Sequence, residues 1–406
     1  MATNDQTFSN NKKVKMIATA VYANCPYLKK AHSYVPMDQM QDKKYGNKYS
    51  VYIPDPGKTR IASATDGKAG LAAQYDAINE VEYEIVCDAA LNDCELTLWN
   101  KFGDVESFKD QIALPHGRSV ARGVEKAAID KTVFQASQAV VGEAGLEILS
   151  EAQGALDMTG AVGNKVTFIN PTVGTKIAAK ALGAFNNPDI AKDLYRDNWL
   201  GKYGASTIVT ESYMPVVVGS SSRTASVTLT PVKDGDTTIG FEPIKSVTGT
   251  AKKGDAFKVE GLKLVDKNGV QTDADYVIIV GDNNKIAELR IEVEGKSCNN
   301  ANAWVAAGVE SLTLVPLLED GVKYAVTQCR IEGAVAFDSY KFAELPGTKM
   351  TTEKFEDSAI EVQTYEGGNI DTFTSGVRIV VPFAVGLPDP RESVIAYISS
   401  TLSEVS

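Results

Sequence analysis

The chain has 406 residues, 44% of them hydrophobic, enough for two or three ordinary domains, because single cores stop growing near about 250 to 300 residues. Its 52 acidic against 41 basic side chains give a formal net charge of −11 and a pI near 4.9, which argues against general nucleic-acid or anionic-membrane binding, since both need a positive field. The five cysteines (Cys25, Cys87, Cys94, Cys298, Cys329) are odd in number and scattered, which suits buried thiols in a reducing compartment. Their spacing fits no zinc or thioredoxin-type motif. With His32 and His116 the only histidines, no metal site is expected.

Along the chain, a polar leader, "MATNDQTFSNN", precedes "KKVKMIATAVYANC", whose apolar run breaks at Tyr22 and Asn24 and is too short for a secretory signal. An amphipathic arm is expected there. No stretch approaches the roughly 20 apolar residues of a membrane span, so a soluble protein made in the cytoplasm is expected. Next, "YSVYIPDPGKTRIAS", Tyr49 to Ser63, reads as two short strands hinged on Pro54-Asp55-Pro56-Gly57, because each proline presets φ and the glycine accepts a positive one. A two-stranded hairpin is at best marginally stable alone. Its flanks are polar and broken by glycine, so Tyr49, Val51, Ile53 and Ile61 are expected to find cover on another molecule.

In "NEVEYEIVCD", Val81, Tyr83 and Ile85 alternate with Glu80, Glu82 and Glu84, the pattern of a strand with one buried face. From Gly117 to Val141, Val120, Val124, Ala127, Ala128, Phe134 and Val140 recur at three- and four-residue steps, with Arg118, Arg122, Glu125, Lys126 and Asp130 opposite. That spacing predicts one long helix over 118–141, roughly 36 Å in length. A second helical patch, Glu143 to Leu156, leads to the strand-like "NKVTFIN". Asn170 as N-cap with Pro171 at the first helical position starts another helix. "NPDIAKDLYRDNWLGKYGAS" looks like a further capped helix entering a Gly-rich loop, and the strand "STIVTE" follows.

From about Ser222 to Leu317 helical periodicity disappears. Short alternating runs ("SVTLTPV", "DAFKVEGLKLV", "DYVIIVG", "AELRIEVEG", "SLTLVPLL") are separated by Gly, Asp and Asn turns, which predicts an antiparallel β-barrel or sandwich inserted into one α+β domain. Mixed strands return in "YAVTQCRIEGAVAFDSYKF" and "SGVRIVVPFAVGLPDPRESVIAYIS". Nowhere is there a phosphate-binding loop, a nucleotide fingerprint after a strand, or a Gly-x-Ser-x-Gly elbow. Any His-dependent nucleophile system would have to use His32 or His116, and nothing singles out a carboxylate pair. The chain is expected not to be an enzyme, and no cofactor is expected.

Several stretches together resemble the major capsid protein of tailed bacteriophages, above all the coat proteins of short-tailed Salmonella phages, which carry an insertion domain. "CPYLKKAHSYVP" (Cys25 to Pro36) looks like the end of that family's N-terminal arm, and "KKGDAFKVEGLKLVD" (Lys252 to Asp266) is similar to the first hairpin of the insertion. "IAKDLYRDNWLGKYGASTIVTE" resembles the segment entering the central domain, and "SGVRIVVPFAVGLPDPRESVIAYIS" its last strand pair. The resemblance implies a tailed-phage and herpesvirus type of capsid fold. Its parts would be an N-terminal arm (1–36), an extended hairpin loop (37–76), a peripheral domain with spine helix (77–160), an axial domain (161–221), an inserted β-barrel (222–317) and a return through axial and peripheral strands (318–406).

Under that resemblance the hairpin would lie across a neighbouring subunit, the helix carrying Val120, Val124, Phe134 and Val140 would be the spine, and segments near Gly201, Gly204 and Gly386 would be axial. The inserted barrel would touch neighbouring capsomers through "DKNGVQTDAD", with Asp266, Lys267, Asp273 and Asp275, or through "GDNNK" (Gly281 to Lys285). The implied partners are further copies of the chain as pentamers and hexamers in an icosahedral shell, a scaffolding protein, a portal, and packaged double-stranded DNA held without sequence-specific contact. No membrane partner is implied, and the expected location is the virion, after synthesis in the cytoplasm of a host bacterium. Two other readings stand beside it: an encapsulin-like bacterial compartment shell, and a secreted β-rich carbohydrate-binding or adhesin protein.

Overall fold

A computed structural model describes residues 10–34, 48–54, 80–96, 108–182, 201–230, 241–296, 298–342, 348–354, 359–369 and 374–399. Helix α1 (Asn10–Ala23) buries Val14, Ile17, Ala18 and Val21 at three- and four-residue steps. Strand β1 (Lys48–Pro54) is followed by β2 (Glu80–Leu96), in which Val81 and Ile85 are buried, Tyr83 is half-buried and the three glutamates face out. A π-helical turn, Lys109–Ala113, runs directly into α2 (Leu114–Thr132). Pro115 has no N–H to give to the preceding turn and its ring needs room, and the wider turn just before it accommodates both. Then come β3 (Gln138–Glu143), α3 (Leu146–Met158), β4 (Lys165–Ile169) and α4 (Pro171–Leu182), whose Asn170 cap accepts the Thr172 N–H at 3.0 Å.

Strands β5 (Lys202–Tyr203), β6 (Ser206–Thr210) and β7 (Val216–Val218) precede the β-rich segment. That segment holds β8 (Ala225–Thr228), β9 (Ile244–Ser246), β10 (Thr248–Gly249), β11 (Ala256–Val265), β12 (Gln271–Ile279), β13 (Lys285–Leu289), β14 (Ile291–Val293), β15 (Ala303–Val305) and β16 (Ser311–Pro316). The chain closes with β17 (Lys323–Ile331), β18 (Ala336–Asp338), β19 (Lys349–Lys354), β20 (Glu361–Asn369), β21 (Thr374–Gly386) and β22 (Ser393–Ser399).

These elements divide into two compact units. The first comprises Met1–Val51, Glu84–Thr132 and Glu332–Pro388 and is built on a sheet of order β1-β2-β21-β20-β19, with β18 also on β21. The long central strands are antiparallel, in register from Cys87 opposite Ala384 to Leu96 opposite Ser375. Helix α2 lies on β21, and α1 lies on α2. Gly117 permits that helix contact, because a Cβ there would stand 2.8 Å from the Ala20 Cβ. Residues 25–34 are then stitched down: the His32 N–H reaches the Val335 carbonyl and the Phe337 N–H the His32 carbonyl, each at 2.9 Å, and Tyr34 N–H and Ser33 Oγ both bond the buried Asp338 carboxylate.

The second unit, Tyr52–Tyr83, Val133–Ile331 and Asp389–Ser406, has a mixed sheet of order β3-β22-β17-β4-β6-β5, with β7 also on β17 and α3 packed on β3 and β22. Its inserted segment has a core of its own, in which Val227, Phe257, Val259, Leu262, Leu264, Ile278, Leu289, Val305, Leu312 and Leu314 meet. Strand β11 organises it. Its first half pairs with β16, its second half with β15, and its other edge with β12. Among the described residues the sheet order runs from β10 to β14 with no closing pair, and β14 pairs with β15 in parallel, so the expected antiparallel barrel is seen there only as a mixed sheet around one core.

Other expectations need correction. The spine helix ends at Thr132 instead of Val141, leaving Phe134 in the connection that follows and Val140 on β3. Thr132 and Val133 are β-branched and poor helix formers, and "QAVVGE" gains a parallel partner in β22. Glu125, assigned to the polar face, is only 1% exposed. The final "strand pair" is no pair: β21 belongs to the sheet of the first unit and β22 to that of the second, and Gly386 ends β21, whereas Gly201 and Gly204 lie in the second unit. The helix expected from Asn187 lies outside the described residues except at its end, where Lys202 and Tyr203 form β5.

Candidate functional site

The hairpin residues fall in different environments. Val51 is 3% exposed and already covered within its own chain, Ile53 is half-buried, and the side chain between them, Tyr52, is 57% exposed. Ile61, the Tyr49 side chain and the Asp55-Pro56-Gly57 turn lie outside the described residues. β1 and β2 are neighbours in one sheet; β1 ends at Pro54 and β2 begins at Glu80. Val120 and Val124 are buried on the inner face of α2, which makes them core residues, and Phe134 is equally buried after the helix has ended.

The loop between β11 and β12 is held by its own side chains. Asp266 Oδ1 accepts the N–H groups of Asn268 at 2.9 Å and Val270 at 2.7 Å, the geometry of an Asx turn. Lys267 turns inward: its N–H donates to the Thr159 carbonyl at 2.9 Å, and its ammonium pairs with Glu392 and stands 3.7 Å from Asp389. Asp275 receives Lys258 and Lys263, each at 2.7 Å, and these two hydrogen bonds, Lys258 first, hold its carboxyl below the usual range. Asp273 is exposed. Of the four charged residues expected to face a neighbouring capsomer, Lys267 and Asp275 are thus engaged inside the chain, and the exposed tip is Asn268 to Gln271, with Val270 at 59%. In the other loop, Asn283 and Asn284 take consecutive left-handed conformations and Asp282 pairs with Lys253 at 3.0 Å.

Behind this loop sits a residue that the sequence reading missed. Arg391, 3% exposed, lies in the short turn between β21 and β22 and uses all five of its N–H donors. Nε and Nη2 fork onto Asp389 at 2.9 and 3.1 Å, Nη1 donates to the carbonyls of Asp266 at 3.0 Å and Ala301 at 3.1 Å, and Nη2 also reaches Asn300 Oδ1 at 2.6 Å. The signal in the sequence was only "DPRE", an Asp-Pro turn with charge on both sides.

Burial pushes the Asp389 carboxyl up, but Arg391 and, less strongly, Lys267 outweigh that, and it rests below the usual carboxylate range. A carboxyl with a depressed folded pKa contributes stability that is present above its unfolded value of about 4 and is lost as pH falls through the folded pKa. Asp389→Asn should therefore be destabilised against wild type in urea at pH 7, with the gap closing below about pH 4. A gap that stays constant down to pH 2 would show that the ionised carboxylate contributes nothing.

The remaining candidates for chemistry are dispersed. His32 sits in a β-bridge to Ala336, and His116 Nδ1 contacts Asn92 Oδ1 at 2.6 Å. All five cysteines are free thiols, Cys25 and Cys329 buried. Among the described residues no group of His, Cys, Asp and Glu is placed to hold a metal ion, and no helix is long and apolar enough to cross a membrane.

No family model and no curated protein matches the chain. Solved structures do. The chain is similar to phage capsid structures. Against a structure from Mycobacterium phage Che8 the identity is 10% and the TM-score 0.43, covering 90% of this chain and 89% of that one. Against the mature capsid of bacteriophage PhiM1 the identity is again 10% and the TM-score 0.43, with 90% and 85% covered. The holo-SrpI encapsulin complex from Synechococcus elongatus PCC 7942 is similar at 7% identity and a TM-score of 0.40, with 92% and 91% covered.

Proposed function

We propose that this chain is a major capsid protein, a shell subunit that assembles with further copies of itself as pentamers and hexamers into an icosahedral head around double-stranded DNA. The observation that carries this reading is the build of the first unit. A long helix lies on a sheet of long antiparallel strands, with β1, which ends at Pro54, at its edge beside β2, which begins at Glu80. In this reading the sequence that joins these neighbouring strands gives a subunit the means to reach beyond its own core. An inserted segment with its own core, in the middle of the second unit, agrees with the resemblance seen in the sequence. In this reading the weak contacts of single subunits are summed over a closed, symmetric shell. The acidic balance of the chain leaves enclosed DNA without a strong hold on the wall. A scaffolding protein and a portal belong to the same proposal.

Electron microscopy of the purified protein, expressed alone and with its neighbouring genes, tests it: closed shells or capsomer rings are expected, and a uniform monomer under both conditions overturns it. Because Val51 is part of the chain's own core, the informative deletion spares β1 and removes residues 56–78. That variant should keep the wild-type thermal transition and lose assembly. The encapsulin-like alternative is separated by the contents of the shells: nuclease-protected DNA supports a phage head, whereas a packaged enzyme without DNA supports a compartment.

A further inference from the structure

We propose that Arg391 is a docking latch that fixes the inserted segment against the sheet of the second unit, and that the segment keeps its own fold when the latch is opened. The argument starts from where the bonds between the two parts lie. At the neck, Gly219 N–H bonds the Val322 carbonyl at 2.9 Å and Gly321 N–H the Gly219 carbonyl at 3.1 Å, which closes the two connecting strands upon each other but leaves the rest of the insert to be oriented by other contacts. Polar contacts of that kind come from three short stretches of chain, the first at Thr159, whose carbonyl accepts the Lys267 N–H at 2.9 Å. From 137–138, the Ser137 carbonyl accepts the Val277 N–H at 3.3 Å and Gln138 Nε2 donates to the Asp275 carbonyl at 3.0 Å. From 389–397, Arg391 holds the turns at Asp266 and at Asn300–Ala301, and the buried Tyr397 hydroxyl donates to the Gly254 carbonyl at 2.9 Å.

Arg391 differs from the others because it grips two separate loops of the insert at once while its charge is balanced by Asp389 from its own turn. Asn300 offers its side chain from a left-handed backbone, φ 46°, a conformation that asparagine tolerates better than most residues. None of the groups that Arg391 touches belongs to the apolar core of the insert. Opening the latch therefore removes orientation and leaves β11, β15 and β16 their own packing. The posture of the exposed tip Asn268 to Gln271 depends on the same guanidinium, through the Asp266 carbonyl and the Lys267 N–H that bonds Thr159.

Hydrogen exchange of the full-length protein reads this directly. In Arg391→Met, of similar length but without charge or donors, the amides of Lys267 and Val277 should exchange at least about tenfold faster, while those of β11 and β16 stay within about twofold of wild type. Arg391→Lys, which keeps the charge but not the planar fork, should fall between the two. Should the methionine variant fail to fold, Arg391→Lys and Tyr397→Phe carry the same comparison, each accelerating the reporter amides and sparing the core. Unchanged Lys267 and Val277 amides would overturn the proposal, and so would acceleration of β11 by the same factor, which would make the insert and its docking one cooperative unit.

Discussion

Replacing Glu125 by alanine is expected to destabilise the first unit by about 2 to 6 kcal/mol, because two buried backbone donors lose their acceptor at about 1 to 3 kcal/mol each. The carboxylate oxygen Oε1 accepts the N–H of Tyr27 at 2.8 Å and that of Leu28 at 3.2 Å, the donors that open the short 3-10 turn Leu28–Lys30. Both lie in the interior, beside Tyr27, whose hydroxyl bonds Thr132 Oγ1 at 2.6 Å, so neither can turn to water when the acceptor is gone. Glu125→Gln retains an oxygen in place and should cost only about 1 kcal/mol, the typical net worth of a hydrogen bond. Urea unfolding of the two variants gives the magnitudes, and exchange of the amides of residues 25–34 gives the location. Equal losses for alanine and glutamine would mean that the negative charge matters and the acceptor geometry does not.

That glutamate also marks where the sequence could be read and where it could not. Ala121, Glu125, Ala128 and Thr132 share one face at steps of four, three and four, so the spacing that exposed Val120 and Val124 as core carried Glu125 with them, and only its charge argued for the outer face. The strands of the insert were legible because alternation of period two, punctuated by Gly, Asp and Asn, is a local signal that survives whatever the neighbours are. The end of α2 was harder: Phe134 and Val140 continue the helical spacing by coincidence, and the gain of a parallel partner decided the matter. Arg391 was illegible for a plain reason. Apart from Asp389, its partners are Asp266, Asn300 and Ala301, about a hundred positions away in sequence, and no local pattern announces a bond of that range.

Gly254→Ala should be comparably damaging to the second unit, by about 2 to 6 kcal/mol, from two separable causes. The first is backbone conformation: Gly254 has φ near +90°, which costs a residue with a Cβ about 1 to 3 kcal/mol. The second is space. A Cβ at this position would stand 2.2 Å from Val217 Cγ1 and 3.4 Å from the ring of the buried Phe134, and overpacking of that kind costs about 1 to 3 kcal/mol more. Val217 cannot easily yield, because it is β-branched and sits on β7, paired with Tyr324 of β17. The site also gives its N–H to the Val280 carbonyl at 2.7 Å and its carbonyl to the Tyr397 hydroxyl, so a shift of the turn is felt both in the insert and on β22. The double variant Gly254→Ala/Val217→Ala resolves the two causes. It removes the overlap but not the backbone strain, so it should unfold at a higher urea concentration than a sum of the two single losses predicts. Strict additivity of those losses would show that the overlap is relieved by movement elsewhere and that φ alone requires glycine here.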